Sequence, residues 1–266
     1  MGLFKLMIFN KHNKELFSNQ NEDEVSIAYR GEYQEGDYIK LISDTKDIYI
    51  KLRLDDSLEE SIVYLNDYEY SFSIPFGDFK KPYGSKAFTG ERHWGYVSIL
   101  NEKEYDNYRN LALNTFDNFD NKSIYPHTVT NVVTANPQFF ARNAIDGIFE
   151  TSNHGSWPHS SWGINQQEDA WLKIYFGKEV EIDEVILYLR ADFPHDNWWK
   201  QMKLTCSNGE EYMVSLKKTG NAQSICFNQQ KVKWVMLSEF VMSDEASLFP
   251  ALSQIKIMGR FIKPQI

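Results

Sequence analysis

Two short stretches of this chain combine residue types that a packed core does not collect. The first, Asn153 to Trp162, reads NHGSWPHSSW and sets two histidines and two tryptophans among Gly, Ser and Pro. That composition makes a loop. The second, Arg190 to Lys200, reads RADFPHDNWWK and adds a guanidinium, two carboxylates, another imidazole and a tryptophan pair. Buried together, these polar heads would each need a partner, so a long ordered loop is the better setting for them. An aromatic ring beside fixed donors and acceptors suits a ligand with an apolar CH face and a rim of hydroxyls, as a sugar has. On that chemistry the candidate ligand-binding residues are His154, Trp157 and His159 from the first stretch, and Arg190, Asp192, His195 and Trp198 from the second.

The same residues admit other chemistry. Asp192 and Asp196 with His195 offer an acid–base set for a glycan- or ester-processing enzyme. Ser156, His195 and Asp192 can be aligned as a nucleophilic set, but no G-x-S-x-G turn accompanies them, and no catalytic residue is assigned. The three histidines have neither helical i, i+4 spacing nor cysteine partners, so a zinc site is not expected. A third reading is a protein-interaction or assembly surface, its tryptophans covered by a partner chain. Structural roles compete with all of these: Trp162 as a core ring, an Arg190–Asp192 ion pair fixing its loop, and one of Trp198 and Trp199 turned inward by strand alternation.

The elements that must hold these loops are strands. Alternating apolar residues in Ile48–Leu54 and Tyr70–Ile74, with shorter pieces at 4–9, 25–29, 38–42, 61–65 and 94–100, predict an antiparallel sandwich in the first half. Tyr105, Tyr108, Leu111 and Leu113 predict a helical tail over Glu102 to Asn114. In the second half, strands are expected at 172–176, closed by Gly177, at 185–189, 202–206, 212–216, 233–237 and 254–259. Asn208-Gly209 is a hairpin turn. Cys206 falls on an inward position and Cys226 on an outward one. The loops Pro75–Phe79 and Lys86–Gly95 carry aromatics and charge, which suit either a second site or a surface that docks the first half onto the second, and docking is the expectation.

From Leu113 to Tyr125 the chain is dense in Asn and Asp without periodicity, which reads as a linker. Two domains follow, 1–122 and 123–266, with formal charges of −7 and −2. Six of the seven tryptophans and four of the six histidines fall in the second, which places the ligand chemistry there. The expected fold is all-β, as two β-sandwich domains. A net charge of −9 excludes a general nucleic-acid binder and disfavours an anionic membrane surface. No apolar run approaches the ~18 residues of a membrane helix. Leu6–Phe9 is too short for a signal-peptide core, so the expectation is a cytoplasmic protein, with oligomeric state open.

Asn143-Ala144-Ile145-Asp146-Gly147 followed by Glu150-Thr151 resembles the A-x-D-G opening of the discoidin-like domains, which include the coagulation-factor C-type modules and family 32 carbohydrate-binding modules. Ala170–Gly177, Glu184 to Arg190, Ser207-Asn208-Gly209 and Leu252–Gly259 resemble that family's later strands and hairpin in the same order. The resemblance covers roughly 125–262. It implies a galactose-binding-like jelly roll with a carbohydrate site on loops at one end, and a non-catalytic function. It also implies a structural Ca2+ held near the A-x-D-G turn, for which Asp146, Thr151 and Gln254 are the matching residues. Gln254 stands where the family's acidic ligand would be, and a neutral amide is a poorer partner for a hard cation.

Overall fold

A computed structural model describes residues 2–263, and among them every regular element is a strand or a short 3₁₀ turn. The first half is two antiparallel sheets. One has four strands in the order Glu15–Glu22, Leu3–Phe9, Tyr38–Ser43 and Glu69–Ser73. The other has five, in the order Ile124–Tyr125, Ser61–Leu65, Ile48–Arg53, Arg92–Ile99 and Glu24–Arg30. Alternation turns Phe4, Leu6, Ile8, Ile39, Leu41 and Phe72 of one sheet toward Val25, Ile27, Ile50, Leu52, Val63 and Val97 of the other. The strand Glu15–Glu22 was invisible to the hydrophobic pattern because it is an almost wholly exposed edge.

The expected helix over 102–114 does not form. A 3₁₀ turn at Glu102–Glu104 gives way to an extended pair, Arg109–Asn110, which pairs with Met258 and Gly259 in the second half. Asparagine side chains compete with the helix for backbone groups. Asn101 Oδ1 accepts from Lys103 N–H at 2.9 Å, and Asn110 Oδ1 accepts from the N–H groups of Ala112 and Ile257, each at 3.0 Å.

The stretch read as a linker is packed instead. Phe116 is fully buried in the first core, and Asp117 has no exposure. Asp117 Oδ1 accepts from His127 Nδ1 (2.7 Å) and Asn121 Nδ2 (2.9 Å), and Oδ2 accepts from the N–H (3.0 Å) and hydroxyl (2.8 Å) of Thr128. Arg142 reaches back to the same segment, donating from Nε to Asp117 O (2.9 Å) and from Nη2 to Thr115 O (2.8 Å). An Asn/Asp-rich run with few apolar residues looks like solvated chain, but here its side chains satisfy the buried backbone of both halves. Tyr49, Tyr64, Leu100 and Tyr105 of the first half also join the core of the second, Tyr49 stacking on Phe261 at 4.0 Å.

The second half is a β-sandwich whose strands belong to one continuous hydrogen-bonded sheet. Its order is Trp162–Gly163, Ala251–Phe261, Leu172–Leu189, Gln223–Met242, Trp199–Cys206 and Glu211–Ser215, with His127–Thr130 against residues 172–175. Gly177 does not close a strand. Leu172–Leu189 runs through it, shifting register between Tyr175 and Val180, so its first part pairs with His127–Thr130 and its second with Ala251–Phe261. Gly177 has φ +72°, and a Cβ there would lie 2.7 Å from the rings of Tyr64 and Tyr125, so only glycine allows this bend against the first half. Asn208-Gly209 makes the expected hairpin, with Gly209 at φ +93°. Trp162 and Trp199 fill the core, each about 1% exposed. Cys206 is buried and Cys226 exposed.

Candidate functional site

Arg190 follows directly on the strand Leu172–Leu189, and its N–H donates to Ala251 O at 3.0 Å, which fixes the start of the loop against the opening of Ala251–Phe261. Its side chain turns inward and is only 5% exposed. A guanidinium in that position requires partners. It pairs with the carboxylate of Asp196, donates from Nη2 to Phe249 O at 2.9 Å, and lies 5.6 Å from the centre of the Phe139 ring. Nε is buried without a protein partner. The ion pair expected between Arg190 and Asp192 is therefore made by Asp196.

Asp192 and Asp196 close their loop on each other. Asp196 N–H donates to Asp192 O at 2.9 Å, and Asp192 N–H donates to Asp196 Oδ2 at 2.9 Å. The Asp192 carboxylate reaches the first loop, where Oδ2 sits 2.6 Å from His154 Nδ1. The acid–base pairing expected of Asp192 with His195 is replaced by one with His154. His195 packs edge-on to His154 at 6.2 Å.

His154, Arg190, His195 and Asp196 border one open cleft of about 470 Å³, with Asn136, Phe139, Asn165 and Phe249, while Asp192 is tied to it through His154. Phe249 is 48% exposed and supplies an aromatic face beside the buried guanidinium. Phe249 carries no periodic signal, although Ser247-Leu248-Phe249-Pro250 puts two large apolar residues just ahead of a strand with no alternation to bury them. Asn136, Phe139 and Asn165 come from distant turns, and only the fold brings them here.

Three expected site residues lie elsewhere. Trp198 is half-buried, and its Nε1 donates to Glu245 Oε1 at 3.1 Å, while Lys218 pairs with the same carboxylate at 2.8 Å. Its neighbour Asn197 anchors this arrangement by donating to Ser247 O at 2.7 Å. Trp157 leaves the cleft because its N–H donates to Lys81 O at 2.7 Å in the first half, which lays the indole against Gly84. His159 is half-buried near that same turn, its N–H on Ser156 O at 3.0 Å and its Nδ1 without a partner.

The residues expected to hold calcium do not fit a hard dication. Asp146 Oδ1 accepts from Ile148 N–H at 2.9 Å, and Oδ2 faces the Arg142 guanidinium at 4.0 Å, so a cation already stands beside this carboxylate. Burial, partly offset by Arg142, pushes the Asp146 carboxyl up to about 7. Thr151 is drawn toward the Arg190 loop, accepting from Ala191 N–H at 2.8 Å, and Gln254 is fully buried and neutral. A Ca2+ site wants six to eight oxygens with carboxylate charge among them, and the one carboxylate of this set accepts from Ile148 N–H and faces Arg142. His154, Asp192 and Asp196 place ligand atoms within 4.8 Å of one another, and Asp196 is also paired with the Arg190 guanidinium.

A family model described as a domain of unknown function (DUF7402) matches residues 127–256. No protein of curated function matches the chain. Similar solved structures include chitosan-binding module 1 of a chitosanase/glucanase from Paenibacillus sp. IK-5, at 18% identity over 56% of this chain and 98% of that one, with a TM-score of 0.40. The fucose-binding module SpX-3 of Streptococcus pneumoniae is 18% identical over 59% of this chain and 98% of its own, with a TM-score of 0.39. The family 32 carbohydrate-binding module of C. perfringens NanJ, solved with galactose, is 13% identical over 49% of this chain and 91% of its own, with a TM-score of 0.38. Similarity at this level transfers no ligand and no residue role.

Proposed function

We propose that the protein binds carbohydrate without transforming it, holding a saccharide in the cleft between Arg190 and Phe249. The observation that carries this reading is one cleft in which the exposed Phe249 ring stands beside the buried Arg190 guanidinium, itself clamped by Asp196 and Phe249 O, with His154 and His195 on the same lining. A lining fixed in this way needs little reorganisation on binding, so little ordering entropy opposes the contact. The exposed Phe249 ring stacks on the CH face of the sugar, and the His154–Asp192 pair and His195 meet hydroxyls along the rim. One ring and a few hydrogen bonds in an open cleft correspond to micromolar-to-millimolar affinity, about 4–8 kcal/mol. Asp196 is held by Arg190 and Asp192 by His154, which suits fixed hydrogen bonding better than proton transfer. Calorimetric titration against a panel of mono- and disaccharides tests the reading. A saturable heat for at least one sugar is expected, and a silent panel counts against it.

A second reading rests on the 2.6 Å contact between His154 Nδ1 and Asp192 Oδ2, a pair able to accept a proton from a bound hydroxyl or water. It requires turnover of an aryl glycoside or ester that disappears in Asp192→Asn while binding persists.

A further inference from the structure

A second cavity, of about 320 Å³, opens at the seam between the two halves. Glu59, Tyr83 and Gly84 line it from the first half, and Arg142, Asp146 and Trp157 from the second. It shares no lining residue with the Arg190 cleft. Its floor is a charge pair that does not close. Arg142 is 7% exposed and held in place by all three of its nitrogens: Nε on Asp117 O (2.9 Å), Nη2 on Thr115 O (2.8 Å) and Nη1 on Asn143 Oδ1 (3.1 Å). Its guanidinium also lies over the Tyr83 ring at 4.7 Å. So fixed, it stops 4.0 Å from Asp146 Oδ2, beyond hydrogen-bond range. Asp146 is 3% exposed, and among the described residues none donates a hydrogen bond to Oδ2. A buried acceptor left open toward a cavity is completed by whatever occupies that cavity.

The wall above this floor is aromatic. Trp157 is 45% exposed, and its indole rests on Gly84, where a Cβ would stand 3.5 Å from the ring. A longer side chain at 84 would fill the space against the indole. The ring is thus presented by a backbone hydrogen bond to Lys81 and a glycine seat rather than sunk into a core. With Asp146 ionised, the charges around the cavity balance, Arg142 and Lys86 against Asp146 and Glu59, which favours neither a cation nor an anion. A ligand that matches the whole must be uncharged, offer a hydroxyl donor to Asp146, present a flat CH face to Trp157, and be no larger than one ring, since the volume lies at the small end of ligand pockets.

We propose that this seam cavity is a second binding site, for a single neutral pyranose, with a sugar hydroxyl donating to Asp146 Oδ2 and the ring stacked on Trp157. It stands independently of the Arg190 cleft. Because both halves line it, the sugar also holds them together, and bound ligand raises the unfolding temperature of the chain.

The test uses the full chain carrying Phe249→Ala, which disables the cleft at an exposed position, titrated with the methyl β-pyranosides of glucose, galactose and mannose. Calorimetry and tryptophan fluorescence are read together. At least one of the three is expected to bind with a stoichiometry of one and to shift the fluorescence. Adding Trp157→Ala, which keeps the backbone hydrogen bond to Lys81, is expected to weaken that binding by about tenfold or more. Gly84→Val should do the same by filling the space at the indole. If none of the three sugars binds the Phe249→Ala chain, or if binding is unchanged by Trp157→Ala, the seam site is refuted. If Phe249→Ala binds as tightly as the unaltered chain while Trp157→Ala abolishes binding, the seam site stands and the cleft reading falls.

Discussion

Asp117 offers the sharpest test of how the two halves are joined. Its carboxylate has no exposure and accepts four hydrogen bonds, from His127, Asn121 and both donors of Thr128. Replacing it by alanine leaves four donors facing a small cavity. Orphaning a buried donor costs about 1–3 kcal/mol, and removing one partner of a buried charged pair about 3–5 kcal/mol. These costs overlap, because a water admitted to the cavity would satisfy some of the donors. Asp117→Ala is therefore expected to lose roughly 4 kcal/mol, a large share of the 5–15 kcal/mol typical of a folded protein. Asp117→Asn keeps one acceptor and turns an amide N–H against donors, for a loss of roughly 2–3 kcal/mol. The assay is urea unfolding followed by tryptophan fluorescence, which reports mostly the second half, and by far-UV circular dichroism, which reports both. The two transitions should coincide and move together in the variants. A loss under about 1 kcal/mol for Asp117→Ala would refute the idea of a shared buried hub. So would two separate transitions in the unaltered chain.

Other expectations follow from particular residues. Burial opposes a charge on His127, but its hydrogen bond to Asp117 and the charge of that carboxylate outweigh it and hold the imidazole above its ordinary value. The stability this contributes is complete below the unfolded value of about 6.5 and is lost as pH rises through the folded value. Asp146, pushed up to about 7 chiefly by burial, acts in the same direction, its contribution falling between about 4 and 7. Unfolding free energy measured from pH 5 to 9 should therefore decline toward alkaline pH, and His127→Gln should flatten that decline; an unchanged slope would contradict the assignment. Gly177→Ala should cost about 1–3 kcal/mol in chemical denaturation, since it forces a left-handed φ and a Cβ against two tyrosine rings, and a neutral result would mean the bend relaxes freely. Trp198→Ala should alter sugar affinity in the cleft less than about twofold in calorimetry, because that indole is tied to Glu245; a loss comparable to Arg190→Lys would place it back in the site.

The strands were legible because alternation survives in the sequence wherever one face is buried. Phe4 to Ile8 and Ile50 to Leu54 declare themselves, whereas Glu15–Glu22, exposed throughout, offers no alternation to read. The segment 102–125 was misread for the opposite reason. Its asparagines and Asp117 bury polar atoms that are satisfied by residues far away in the chain, and a window of local sequence records polarity but not its partners. The site was legible in part. Arg190, Asp192, His154 and His195 converge because two loops rich in polar and aromatic residues meet at one end of the sandwich. Trp157 and Trp198 do not join them, since a single backbone hydrogen bond to Lys81 and a single indole contact to Glu245 decide where those rings lie. Phe249 takes the aromatic place in the cleft, from a loop without a periodic signal.

The central claim, that a saccharide is held between Arg190 and Phe249, is tested most directly by comparing the affinity of one bound sugar for the unaltered chain, Arg190→Lys and Phe249→Ala, in the presence of Trp157→Ala to silence the seam. Lysine keeps the charge but cannot reproduce the fork that engages both Asp196 and Phe249 O and so holds Phe249 in the cleft. The account predicts that each substitution weakens binding by about tenfold or more, with the overall fold intact by circular dichroism. Undiminished affinity in both variants would contradict it.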